Sequence, residues 1–343
     1  MTDSLVGEKT IALSLAQEIL TTSVEIPAIP ENMRQIFQMV RQPEDNIDIP
    51  EFANLVESDP GLFTRILQLA NSSYYSEVEK ITTLRAAITR IGLREAVNTV
   101  CLGFFQKMLP KFPDIEGFSY NDFWAFSWAC AVAARRLGHP ALGMDVKPGD
   151  LYMAGMLQGL GKLLFAIHYP RKFADCVAKA RKFESPLYEI EKDVFGTTDS
   201  LVAARVLRTW NLPANICEGV GFCHMPQHAE PDYILVAGLV EFAYAIAGNC
   251  GIGANGDGNL IELPNTFLGQ KPKLSIAKPE TQEALTDELT RSLQKKAGSM
   301  FPKSGASKPG TRTSSARTKK QAPSRQAPKK KSGVMGWVKS LFR

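Results

Sequence analysis

Histidine and cysteine are scarce in this 343-residue chain, at four and six residues. The cysteines have no paired spacing, which excludes a disulfide scaffold and a zinc ribbon. Cys101, Cys130, Cys176, Cys217 and Cys223 sit mostly in apolar stretches, where a thiol behaves as a small hydrophobe, so a reducing cytoplasm is the simplest setting. Long alternating strand patterns are missing as well. Met1 to Leu20 carries Asp3, Glu8 and Glu18 and no unbroken apolar run, unlike a secretory signal. No segment reaches the ~18 apolar residues of a membrane span. Tyr233 to Ala247 is interrupted by Glu241 and reads as a core helix.

Acid is missing from one end. The chain from Arg291 to Arg343 holds 15 Lys and Arg and no Asp or Glu, which leaves 25 basic against 35 acidic residues before it. The net charge of +5 therefore averages an acidic body and a basic arm. That split weighs against a generally basic nucleic-acid-binding fold and favours an appended arm.

What is present is helical periodicity. Met33, Ile36, Phe37 and Val40 recur at i, i+3, i+4 and i+7. Asp59-Pro60 marks a helix start, with Asp as N-cap and Pro at the first position. Thr83 opens a helix with Leu84, Ala87, Ile88 and Ile91 inward, and Gly92 closes it. Ala96, Val97, Val100, Cys101, Phe104 and Phe105 form the next. Asp122 precedes an aromatic-rich helix ending at Gly138, and Asp150 is placed as the cap of another. The fold class is all-α from about residue 10 to 297. Residues 298–333 are rich in Ser, Pro, Gly, Lys and Arg, with too little apolar surface to offset ordering entropy, and read as a disordered basic linker.

Several phrases stand in a telling order: Ile26-Pro27-Ala28-Ile29-Pro30, Ser58-Asp59-Pro60, Leu69-Ala70-Asn71-Ser72-Ser73-Tyr74-Tyr75, Ile81-Thr82-Thr83-Leu84-Arg85-Ala86-Ala87-Ile88, Ile91-Gly92-Leu93-Arg94-Glu95 and Trp210-Asn211-Leu212-Pro213. The series resembles the HDOD family of bacterial signalling domains, relatives of the HD phosphohydrolases. The resemblance implies an N-terminal helical bundle packed on an HD-like helical bundle. It divides the chain into an N-terminal helical extension (1–19), the HDOD domain (20–250), a loop and closing helix (251–297), the linker (298–333) and an amphipathic terminal helix (334–343). It also implies a place in bacterial signal transduction, with motility, surface behaviour and cyclic-dinucleotide networks as candidate settings. Locally, Asn71 and Ser72 suit a helix end, Gly92 a positive-φ stop, and Tyr74 and Tyr75 either a core or a partner surface.

Catalytic HD domains hold divalent metal with a His, a His-Asp pair and a later Asp, because the metal activates water and neutralises phosphate charge. By resemblance, those positions fall here on Phe126, on Gln158 and Gly159, and on Tyr244. Phe and Gly offer no donor, Gln a neutral carbonyl, and Tyr a hydroxyl protonated near pH 7. The expectation is a protein that is no enzyme and holds no metal or cofactor at these vestigial positions. The alternative is a phosphohydrolase with a rebuilt site. Cys223-His224 is too small a set to rebuild one, and His224 reads as a helix end or a local hydrogen-bonding group. Lys162 and Arg171 could attract an anion, such as a nucleotide-like ligand, near the pocket, and the plainer reading of both is a solvated helix face. Gly251-Ile252-Gly253-Ala254-Asn255-Gly256 matches G-x-G-x-x-G in form only, since no βαβ unit surrounds it, and reads as a flexible loop.

At the C-terminus, Val334, Trp337, Val338, Leu341 and Phe342 follow i, i+3, i+4, i+7 and i+8, after Lys329, Lys330 and Lys331. One face would be apolar and aromatic, the other basic. Three turns do not hold a helix alone in water, so an interface must supply the partner. An anionic membrane surface at the inner face of the cell is the preferred partner, at about 1 kcal/mol for each nearby Lys or Arg. The end is similar to the short membrane-targeting helices of some bacterial positioning ATPases. A protein groove, nucleic acid, and docking on the acidic body are the rivals. Nucleic acid is disfavoured because no aromatics interleave with the basic run. The signalling protein bound by the body is not legible.

Overall fold

The computed structural model describes residues 28–75, 79–139 and 142–301. The extension at 1–19, the terminal helix at 334–343 and its anchor residues Lys329 to Phe342 lie outside the described residues.

The N-terminal bundle comprises α1 (Glu31–Arg41), α2 (Ile49–Glu57), α3 (Pro60–Ala70), α4 (Leu84–Ile91) and α5 (Leu93–Met108). Its boundaries follow local chemistry. Asp59 Oδ1 accepts from Gly61 N at 3.0 Å and from Leu62 N at 3.4 Å, with Pro60 at the first position. Thr83 caps α4 through Ala86 N. Gly92 then turns the chain at φ 87° and opens α5. Asn71 does more than end α3. Its amide donates to Ile81 O at 2.7 Å and its carbonyl accepts from Ile81 N at 2.8 Å, so one side chain fixes the loop's return.

The second bundle runs through α6 (Tyr120–Leu137), α7 (Pro148–Leu157), α8 (Leu160–His168), α9 (Pro170–Phe183), α10 (Leu187–Phe195), α11 (Asp199–Thr209), α12 (Ala214–Gly221) and α13 (Ile234–Asn249), and α14 (Pro279–Met300) closes it. Among the described residues there is no strand beyond the isolated Ile115–Phe118 bridge. Helices α6, α7 and α13 pack face to face, and α1 packs on both α5 and α7, so one continuous apolar core spans both bundles. All six cysteines are buried as free thiols, and burial pushes Cys101 up to about 12.

Four expectations need correction. Helix α6 begins at Tyr120, capped by Ser119 Oγ, and Asp122 sits in its first turn. Asp150 lies behind Pro148 in α7, and its buried carboxylate reaches Arg41 Nε at 2.5 Å instead of capping. Pro231–Asn249 is long and apolar enough by length and composition to cross a membrane, yet two-thirds of it is buried inside the protein. Helix α14 continues to Met300, past the boundary set at 297, and its end is anchored: Lys296 Nζ meets Glu95 Oε2 at 3.0 Å, and the Phe301 ring lies 5.9 Å from that of Trp128.

Candidate functional site

Two of the positions aligned with the HD ligands meet between α6 and α13. The Phe126 ring on α6 packs edge-on against Tyr244 on α13, at 5.0 Å between centroids. Gln158 ends α7, buried, with no hydrogen-bond partner for its Oε1 among the described residues. Gly159 follows, and a Cβ there would lie 2.9 Å from the Phe123 ring.

Lys162, one turn further along, is the unexpected member. In place of a solvated helix face it is only 1% exposed. Its ammonium donates to the Tyr244 hydroxyl at 2.8 Å and to Asn255 O at 3.1 Å, and stands 3.5 Å from Asp257 Oδ2. Tyr244 in turn donates to Asp257 Oδ2. Asn255 donates to the Tyr244 hydroxyl at 2.6 Å, and Asp257 Oδ1 accepts from Leu187 N at 2.8 Å. Burial works against the ammonium, but Asp257, Asp199 and Glu191 outweigh it and hold its pKa above the ordinary lysine value. Burial, aided by Asp257, pushes Tyr244 well up, so it remains a neutral hydroxyl.

The loop that carries Asn255 and Asp257 is the one read as flexible. It is built against the bundle: Ala254 N donates to Asp122 O at 3.3 Å. Gly253 has φ 68°, and a Cβ there would come within 2.1 Å of Asp122 O. A side chain would not fit at Gly253, and both its φ and its close approach to α6 require glycine.

Beside this network lies a cavity of about 470 Å³, lined by Tyr188, His224, Glu241, Tyr244, Asn259 and Glu262 among others. His224 stacks on Tyr188 at 4.8 Å and directs Nε2 toward Asp199 Oδ1 at 3.6 Å. Burial opposes its charge, but Cys223 and Asp199 override it and raise its pKa well above the usual value. Glu191 Oε2 accepts from Asp199 N at 2.8 Å, and burial and the Asp199 charge drive Glu191 well up. Lys162 and His224 hold Asp199 below the ordinary range against its burial. Burial lifts Glu241 to about 7, although Phe267 N donates to it at 2.6 Å. Among the described residues, no group of three or more His, Cys, Asp or Glu is arranged to hold a metal ion.

Of the two cations singled out in the sequence, Lys162 reaches the site and is already engaged by carboxylates, whereas Arg171 is exposed at the start of α9, away from the cavity lining. Sequence reasoning missed Asp257, Asn255, Asp199, Glu191 and Glu241. One signal was available: Lys162 interrupts an otherwise apolar stretch from Leu160 to Ile167.

Residues 26–226 match the family described as HDOD domain. The match spans more than half of the chain, and the protein belongs to the HDOD family. A crystal structure of an HDOD domain protein from Geobacter sulfurreducens superposes with a TM-score of 0.65 at 21% identity, covering 85% of this chain and 99% of that one. A Marinobacter aquaeolei protein named for signal transduction gives 0.67 at 21% identity, covering 85% and 66%. A Shewanella amazonensis protein named for phosphohydrolase activity gives 0.59 at 22% identity, covering 84% and 96%. These likenesses establish the all-α fold. An uncharacterized Treponema pallidum protein is 23% identical over 235 residues, which is 68% of this chain and 44% of the relative, so the chain spans less than half that relative's length.

Proposed function

We propose that this HDOD protein is a non-catalytic signalling scaffold whose body binds a partner protein or small ligand and whose basic C-terminal arm tethers it to an anionic membrane surface. The observation that carries the first half is Lys162. A divalent ion at the HD positions would face a buried ammonium, an aromatic ring, a glycine, a neutral amide and a hydroxyl already donating to Asp257. Like charge repels, and none of those side chains is an anionic donor, so the residues present do not fit the metal. No hydrolytic step is derived for this site. The ammonium neutralises the carboxylates the fold has buried there, a task of architecture rather than turnover.

The rival reading, a phosphohydrolase with a rebuilt site, draws its support from the naming of the Shewanella relative. Incubating the purified full chain with Mn²⁺ or Mg²⁺ and a phosphodiester separates the two, with metal analysis alongside. The scaffold reading expects no turnover and no stoichiometric metal. Turnover together with one bound cation per chain overturns it.

The tether rests on the apolar stripe Val334, Trp337, Val338, Leu341 and Phe342 beside Lys329, Lys330 and Lys331. Sedimentation with phosphatidylglycerol vesicles should retain the full chain and lose a form lacking residues 329–343. Equal retention of both forms sinks the tether.

A further inference from the structure

A second cavity, of about 580 Å³, opens on the seam between the two bundles. It is lined by the last turn of α1, by Arg94 at the start of α5, by Arg135 late in α6, and by Lys147 and Pro148 where α7 begins. Four cationic side chains therefore face one space: Arg41, Arg94, Arg135 and Lys147.

Two of them have evident structural work. Arg41 pairs with buried Asp150, whose other oxygen accepts from Asn215 at 2.8 Å. Arg94 donates to the carbonyls of Met39, Val40 and Gln42 at 3.1, 3.2 and 2.7 Å, which caps α1, and Glu44 stands 4.0 Å from its Nε. Carbonyls satisfy hydrogen bonds without cancelling charge.

Arg135 and Lys147 are not explained this way. Arg135 spends one nitrogen on Val40 O at 3.3 Å, while its Nε and Nη1 are buried with no hydrogen-bond partner among the described residues. Its guanidinium lies over the Tyr152 ring at 4.3 Å, and no ion pair among the described residues cancels its charge. An uncancelled guanidinium on the wall of a cavity draws a phosphate or carboxylate. Lys147 is exposed at the rim and has no ion pair among the described residues.

We propose that this seam binds a small phosphorylated ligand, with its phosphate drawn by Arg135 and Lys147 and its organic part against Pro43 and Pro148. Arg94 adds positive potential, and the volume lies in the range of ordinary small-molecule sites. A ligand there would touch α1 on one side and α6 and α7 on the other. Binding would therefore stiffen the joint between the bundles, which gives a scaffold a physical form of input. The site does not depend on the Lys162 reading, and the metal and turnover assays leave it untouched.

Calorimetric titration of the full chain with pyrophosphate and with AMP tests the idea, with adenosine as the uncharged control. Both phosphates should bind and adenosine should not, and added salt should weaken the binding. Lys147→Glu, at an exposed position, should keep the melting temperature and weaken binding about tenfold, the loss of one charge-assisted contact. Arg135→Met, which keeps the stem packed on Tyr152, should weaken it at least as much. The proposal fails if neither phosphate binds, if adenosine binds as well as AMP, or if folded Lys147→Glu titrates like the parent.

Discussion

The Lys162 ammonium stands 3.5 Å from Asp257 Oδ2 across 95 residues of sequence, and both side chains are almost wholly buried. Neither charge is tolerable there without the other. Lys162→Met should therefore cost about 3–5 kcal/mol, because Asp257 is left as an uncompensated buried anion. Adding Asp257→Asn should recover part of that loss. Urea unfolding of the four proteins in the cycle measures the coupling, and strict additivity of the two losses would refute it.

Glu241 should make stability depend on pH. Its folded pKa, near 7, lies above the ordinary 4.5 because burial penalises the charged form. Its stabilising contribution is therefore fully present below about 4.5 and is lost as pH rises through about 7. Glu241→Gln, which can still accept from Phe267 N, should remove this slope and raise stability at pH 8 by about 1–3 kcal/mol. Thermal melts of both proteins from pH 5 to 8 provide the check.

Gly161 and Gly298 should respond oppositely to alanine. A Cβ on Gly161 would lie 1.9 Å from Asp199 O, with backbone unable to yield, so Gly161→Ala should cost about 3 kcal/mol or more. Gly298 sits in α14 with nothing within 4 Å of its would-be Cβ, so Gly298→Ala should stabilise by up to about 1 kcal/mol. A raised melting temperature for Gly161→Ala, or a lowered one for Gly298→Ala, would contradict the corresponding assignment.

Asn71 is a clamp on the α3–α4 loop. Asn71→Ala removes both hydrogen bonds to Ile81 and should cost about 1–3 kcal/mol in urea unfolding. A loss within error of zero would mean that water replaces the side chain.

Much of the fold was legible because its signals are local. Asp59 with Pro60, Thr83 and Gly92 each act within a few residues of themselves, so their spacing in the chain states their role. The candidate site was half legible. Of Phe126, Gln158, Gly159 and Tyr244, placed by resemblance, Phe126 and Tyr244 meet ring to ring, and Gly159 lies against Phe123. Lys162 was misread because lysine on a helix is ordinarily solvated, and its partners arrive from a loop some 95 residues later. That loop looked flexible for its glycines, yet Gly253 is there to let the backbone approach α6. Asp150 was misread for the same reason: its carboxylate answers Arg41, 109 residues away, and no local pattern announces that.

The anchoring of α14 has a mechanical corollary. Past Phe301 the chain leaves from a point where Trp128 and Glu95 grip the last helix, one from each bundle. Tension on whatever follows would load those two grips in parallel, pulling α5 and α6 as a pair. Because Asp122 on α6 also accepts from Ala254, in the loop that carries Asn255 and Asp257, a tug that moves α6 would be felt by the partners of the buried ammonium.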